Sequence, residues 1–194
     1  LIGLQTGKIS SDSMVIPWDG VTRPVEEWNK DLTMYQAFRV SSVPYFQEVA
    51  RRIGKDTMQQ YLDSLFEGSK KIKGPIDSFW LNNTFKVTPD QQLGLMTKLY
   101  FGKLPFNAYN HEIVKRAMLF EDNTAYKLSY KTGLGFKENG NKLAWVVGWI
   151  EENKHPYFFV LNIESKDPNA DLATVRMSIL KKILKKLDFM EGKQ

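Results

Sequence analysis

The sequence predicts an α+β fold in one domain: a helical block, then an antiparallel sheet, then a closing helix. Three observations predict it. Apolar residues recur at helical spacing in successive segments as far as about residue 120. After Asp122 the pattern becomes three strand-like runs joined by short polar loops, which favour antiparallel neighbours. From Leu172 the helical period returns. The helical part is expected over about residues 25–120, and the sheet with its closing helix over about 121–190.

Taken in order, residues 1–30 are turn-rich, punctuated by Gly3, Gly7, Asp19-Gly20 and Pro24. A short helix from Asp31 to Arg39 delivers Val40 and Ser41. Pro44 fits a first helical position, which puts Val43 at the cap, and Phe46, Val49, Ala50 and Ile53 follow at helical spacing until Gly54. Asp56 is expected to cap the next helix, striped by Met58, Tyr61, Leu62 and Leu65. Gly68, Gly74 and Pro75 mark a long loop before the aromatic island Phe79-Trp80-Leu81. Thr88-Pro89-Asp90 starts a helix running to about Phe101, and His111 to Phe120 is expected to be another. The strands are read at Tyr126–Thr132, Leu143–Ile150 and Tyr157–Asn162, with Leu143, Trp145, Val147 and Trp149 on one face of the middle one. In the closing helix Leu172, Val175, Ile179, Leu180, Ile183, Leu184 and Leu187 line one side and four lysines the other. That pattern suits a helix packed on the sheet with a solvated basic face; a membrane-surface helix is the alternative.

Composition narrows the chemistry. The 194 residues are 42% hydrophobic and 25% charged, ordinary for a globular domain with a sizeable core. No apolar run approaches the ~18 residues of a membrane span, and no signal-peptide pattern is present. With no cysteine, disulfides, Cys-ligated zinc and Cys nucleophiles are excluded. The two histidines, His111 and His155, are both expected at the surface, which argues against a His-based triad or metal site. A net charge of +5 suits a small anionic substrate and is far from a nucleic-acid footprint.

The chemistry concentrates in a few places. Lys131-Thr132-Gly133 ends a predicted strand, where Lys supplies positive charge, the Thr hydroxyl can bind a carboxylate and Gly lets a ligand approach the backbone. Ser41-Ser42-Val43 precedes a helix; with Val43 at the cap, neither serine has a compulsory structural task. Arg176 falls on the apolar side of the closing helix and needs an anionic partner, either a side chain or a ligand. Trp80 and Trp28 suit either the core or a cleft, their indole N–H groups seeking acceptors.

Together these residues resemble the class D (oxacillinase-type) serine β-lactamases. The likeness covers essentially the whole chain, from Leu1-Ile2-Gly3-Leu4-Gln5-Thr6-Gly7 through Pro17-Trp18-Asp19-Gly20, Trp28-Asn29-Lys30-Asp31-Leu32-Thr33, Val40 to Phe46, Ile76 to Leu81 and Lys131-Thr132-Gly133 to Trp145–Glu151. The resemblance implies the β-lactamase/transpeptidase fold and two-step acyl transfer from a serine, with a lysine carbamate made from CO2 as general base and no other cofactor or metal. It implies Trp80 as the holder of that carbamate and Ser41 as the proton relay to the lactam nitrogen. Val43 becomes the apolar neighbour of the lysine, Thr132 and Arg176 the carboxylate anchors, and Lys131 the source of positive potential. Gly133 gives close approach, the Leu134 N–H half of an oxyanion hole, and Trp28 a wall. The partner implied is a β-lactam, with neither nucleic acid nor membrane span, a homodimer as one open state, and a periplasmic or secreted location.

Two departures stand out. The Ser-x-x-Lys pair that carries nucleophile and base is expected ~2 helical turns before Leu1. Inside the chain Ser178-Ile179-Leu180-Lys181 lies in the closing helix, and Asn83-Thr84-Phe85-Lys86 has Asn where the nucleophile belongs. The family's Tyr-Gly-Asn is Glu67-Gly68-Ser69 here. The readings are therefore a hydrolase of penicillins, a penicillin-sensing receptor domain that acylates without turnover, and a degenerate non-catalytic homologue; the 194 residues alone are expected to be inactive.

Overall fold

The computed structural model describes residues 1–66 and 71–193. Glu67-Gly68-Ser69 therefore lies outside the described residues. The architecture is α+β, and the chain divides into two units, Leu1–Lys86 with Gly102–Ala117, and Val87–Phe101 with Met118–Gln194.

The first unit is mostly helical. It holds α1 (Ile2–Gln5), a two-stranded ribbon of β1 (Val15–Ile16) and β2 (Leu32–Thr33), and α2 (Met34–Arg39), α3 (Val43–Ile53), α4 (Lys55–Leu65) and most of α6 (Ala108–Met118). Thr33 starts α2 through a capping box with Gln36. The cap of α3 is Ser42, whose hydroxyl accepts from Tyr45 N at 3.4 Å; Val43 and Pro44 already lie in the first turn. This corrects the expectation that Val43 is the cap: one serine of the pair does have a structural task. Gly54, at φ 82°, ends α3 and is the N-cap of α4, so Asp56 is not a cap but an acidic residue of the first turn, where it favours the helix dipole.

Gly3 fits against α3, where an added Cβ would stand 3.1 Å from Ile9 and Val49 side-chain atoms. Gln5 accepts from Asn107 N at 2.9 Å and Asn110 Nδ2 at 3.0 Å, joining α1 to α6. On α6, His111 is buried, contrary to expectation; its Nδ1 pairs with Asn107 O at 3.0 Å and its ring meets Phe106 edge-on. The reason is position: His111 precedes Val114 by three residues and Met118 by seven, so it shares their buried face.

The second unit is a four-stranded antiparallel sheet in the order β3 (Leu119–Asp122), β4 (Lys127–Phe136), β5 (Lys142–Glu152), β6 (His155–Ser165). The residues at 119–120, expected to continue a helix, are instead the start of β3. The longer strands extend the three expected ones at both ends or at one. His155 opens β6 and is exposed.

Both sheet faces are covered. Val146 and Ile150 of β5 and Leu128 of β4 form a core with Leu180 and Leu184 of α7 (Leu172–Lys186). On the alternate face Tyr100 of α5 (Pro89–Tyr100) packs edge-on against Trp149 and Phe158 and donates its hydroxyl to Glu151. Thr88 caps α5 in a capping box with Gln91. Helix α5 thus belongs with the sheet although it falls inside the expected helical range. In α7, Asp171 is the cap; Leu172, Leu180 and Leu184 are buried, but Val175, Ile183 and Leu187 are exposed, so the apolar side is wider than the face it buries.

Candidate active site

In the second unit the candidate residues converge on the far half of β4. The short strand β3 pairs β4 only over Lys127, Leu128 and Ser129, with a register shift between Leu119 and Glu121. On its other side β4 pairs β5 without interruption from Lys127↔Glu151 to Phe136↔Lys142. Among the described strands, β4 from Tyr130 onward is therefore the margin of the sheet, and Lys131, Thr132, Gly133 and Leu134 sit on that margin.

Arg176 reaches the same place from α7, its Nη1 donating to Gly133 O at 2.7 Å. Of the two expected partners, an anionic side chain or a ligand, the side chain is not found among the described residues; a carbonyl takes its place because the sheet margin faces α7 there. Arg176 forms no ion pair among the described residues, and its Nε is buried without a hydrogen-bond partner. Lys131 Nζ donates to Thr132 O at 3.0 Å. Burial, and secondarily the Arg176 charge, push the Lys131 amine down to about 8; burial likewise lowers Arg176. Two cations thus share one half-buried margin, an arrangement that an anion relieves. Leu134 is exposed.

In the first unit the chain turns sharply between α2 and α3. Val40 N, Ser41 N and Ser42 N bond back to Gln36 O, Phe38 O and Ala37 O at 3.0, 3.3 and 2.8 Å. Ser41 sits at the apex with φ 52°, a left-handed conformation that costs a non-glycine residue roughly 1–2 kcal/mol. Ser42 is occupied as the cap, and Ser41 and Val43 on either side of it are half-buried. Trp28 Nε1 donates to Val40 O at 3.1 Å and pins this turn from outside. Trp80 is exposed rather than part of the core, its ring edge-on to buried Phe79.

Lys181 of the Ser178–Lys181 spacing is engaged by Glu121 at 2.7 Å, and Asn83 occupies a turn at φ 60°. No three His, Cys, Asp or Glu residues cluster as a metal site, and no helix is long and apolar enough to cross a membrane, among the described residues. Sequence reasoning missed a cavity of the first unit walled by Trp18, Trp28 and Tyr45; its residues are scattered without period, and Trp28, read as suiting a cleft, was the one hint.

An α+β domain whose Lys-Thr-Gly strand forms a sheet margin backed by an arginine of the closing helix has the parts of a penicillin-recognising domain. The family model described as the penicillin binding protein transpeptidase domain matches residues 1–185. Within that class, the chain belongs to the class D β-lactamase family. It is 37% identical over 194 residues to Beta-lactamase OXA-11 of Pseudomonas aeruginosa, covering 99% of this chain and 72% of that protein. The crystal structure of the class D β-lactamase YbXI from Nostoc matches with a TM-score of 0.90 at 34% identity, covering 98% of this chain and 79% of that one. The regulatory protein BlaR1 of Bacillus licheniformis is 30% identical over 184 residues, which are 94% of this chain and 30% of that protein.

Proposed function

We propose that this chain supplies the substrate-holding machinery of a β-lactam hydrolase acting outside the cytoplasm, in the periplasm or as a secreted protein. The observation that carries the reading is Arg176 set 2.7 Å from Gly133 O beside Lys131 and Thr132, with no ion pair of its own among the described residues. The Thr132 hydroxyl and the Arg176 guanidinium hold the β-lactam carboxylate by charge-assisted hydrogen bonds. Lys131 adds positive potential where burial weakens solvent screening. The carbonyl to be attacked then faces the Leu134 N–H, one donor of an oxyanion hole whose other donor is the nucleophile's own N–H. Serine attack breaks the lactam C–N bond, and the Ser41 hydroxyl passes a proton to the departing nitrogen. Val43 and Trp28 provide apolar wall.

A lysine carbamate, when present in the family's site, supplies the general base that activates water for deacylation. Trp80 would hold that group through the indole N–H of its exposed ring.

The test is intact mass with benzylpenicillin, alongside calorimetric titration. The only Ser-x-x-Lys of this sequence lies in α7, so the 194 residues are expected to bind benzylpenicillin, form no acyl adduct and turn over no chromogenic cephalosporin. A mass held at 22.4 kDa with binding lost in Arg176→Ala supports the reading. An adduct on these 194 residues, or binding indifferent to Arg176→Ala, overturns it. The likeness to BlaR1 favours a second reading, a sensor. In a chain that also carries the Ser-x-x-Lys pair, an adduct that decays indicates the hydrolase and one that persists the sensor.

A further inference from the structure

We propose that the first unit carries a further binding site, for a small aromatic carboxylate, in the cavity lined by Trp18, Trp28, Tyr45, Lys30, Arg51 and Arg52. The cavity measures about 190 Å³. That is the volume of roughly six waters and below the ~300 Å³ at which drug-sized pockets begin, so it suits one substituted ring.

Its aromatic walls are held in place. Trp18 Nε1 donates to Val21 O at 3.0 Å, Trp28 Nε1 to Val40 O at 3.1 Å and the Tyr45 hydroxyl to Met14 O at 3.1 Å. Every polar tip is bonded to a backbone carbonyl, so the ring surfaces are what remain for a ligand. A planar apolar body is therefore favoured, through stacked or edge-on contacts.

The rim selects the sign of charge. Its two carboxylates are committed: Asp19 to Arg23 at 2.6 and 2.8 Å, and Glu48 to Arg51 at 3.0 Å and Arg52 at 2.8 Å. Arg51 also holds Asp77 at 2.6 Å. Lys30 forms no ion pair among the described residues, which leaves a cationic lining group beside the aromatic ones. A ring bearing a carboxylate satisfies both.

The site shares Trp28 with the proposed β-lactam residues, whereas Ser41, Val43 and Trp80 do not line it. It is coupled to them through the chain. Trp28 bonds the carbonyl immediately before Ser41, and Ser42, another lining residue, caps α3. An occupant packed on Trp28 restrains the turn that holds Ser41 in its left-handed conformation.

Benzoate titrated into the 194-residue protein, followed by calorimetry and by backbone amide shifts, tests this. Saturable binding of one equivalent is expected, with shifts at Trp18, Lys30 and Arg52. Lys30→Ala, an exposed change that leaves the fold intact, should weaken it up to about fivefold, the upper range for one exposed ion pair. Trp18→Ala should weaken it about tenfold, and benzyl alcohol should bind less tightly than benzoate. Arg176→Ala should leave benzoate binding unchanged, which separates this site from the β-lactam reading whatever the fate of that reading. Absence of saturation, equal binding by Lys30→Ala, or loss of binding in Arg176→Ala overturns the proposal.

Discussion

Replacing Gly148 by alanine should destabilise the sheet unit by about 3–5 kcal/mol. Gly148 stands opposite Tyr130 in the β4–β5 ladder. A Cβ there would lie 2.1 Å from Ser129 O, 2.8 Å from Tyr130 Cα and 3.0 Å from Ser129 C, all backbone atoms that no rotamer can move aside. Carbon–oxygen contacts settle near ~3.3 Å, so the strands must part by about 1 Å. A ladder bond of ~2.9 Å then passes beyond hydrogen-bonding range. Two bonds lost at about 1 kcal/mol each and overpacking strain of about 1–3 kcal/mol give the total. At about 2–4 °C per kcal/mol for a chain of this size, the melting midpoint should fall by roughly 10 °C. Gly94→Ala provides the opposite sign: Gly94 is inside α5 with nothing within 4 Å of an added Cβ, so it should stabilise by about 0.5–1 kcal/mol. Thermal and urea unfolding of the two variants measure both effects. A Gly148→Ala midpoint within about 2 °C of the parent, or a shift in the same direction as Gly94→Ala, would refute the close-approach argument.

Three further outcomes are expected. Thr132→Val and Arg176→Ala should each weaken benzylpenicillin binding by about 1.5–3 kcal/mol, roughly 10- to 100-fold, as loss of a charge-assisted bond requires; calorimetry at fixed ionic strength reads it. Because the Lys131 amine is lowered to about 8 in the folded protein from 10.5, benzylpenicillin affinity should decline as pH rises through about 8. Over the same interval the unfolded chain holds the proton more firmly than the folded one, so the stability penalty of charged Lys131 is constant below about 8 and is relieved between about 8 and 10.5. Lys131→Met should remove both trends in parallel pH series. Ser42→Ala should cost about 1 kcal/mol through the lost cap, whereas Ser41→Gly, which frees a left-handed position, should leave stability unchanged or raise it by up to about 1 kcal/mol; urea midpoints distinguish them.

Where local chemistry decides structure, the sequence was readable. Thr88-Pro89 marks the start of α5, and the alternation around Trp145–Trp149 marks β5. Lys131-Thr132-Gly133 was visible because its three residues are contiguous, and Arg176 because a charge interrupts an apolar stripe. Where tertiary packing decides, it was not. Phe120 continues an apolar pattern that starts in α6, yet Leu119, Glu121 and Asp122 pair with β4 and the Phe120 ring stacks on Tyr130 at 4.2 Å. The polar neighbours of His111 in sequence mask the buried face it shares with Val114 and Met118. The partner of Arg176 is a carbonyl 43 positions distant, for which no sequence pattern exists. The cavity near Trp18 draws on residues scattered from Ile16 to Arg52, so no periodic pattern marks it.

Helix α5 carries a consequence for how the chain assembles. Its ends continue into Lys86 and Gly102, which belong to the first unit, while Tyr100 finds its hydrogen-bond acceptor at Glu151, 51 positions later. During synthesis the first unit can close on itself, through Ala117, before any strand of the large sheet has been made. The helix is then a tethered loop, anchored at both feet, waiting for β5 and β6. Because the tether is already closed, docking orders few additional residues and the entropic toll of a long-range contact is reduced. A nick on either side of α5 should leave its packing intact in the finished protein yet slow its refolding, since the helix would then have to find the sheet from a free end.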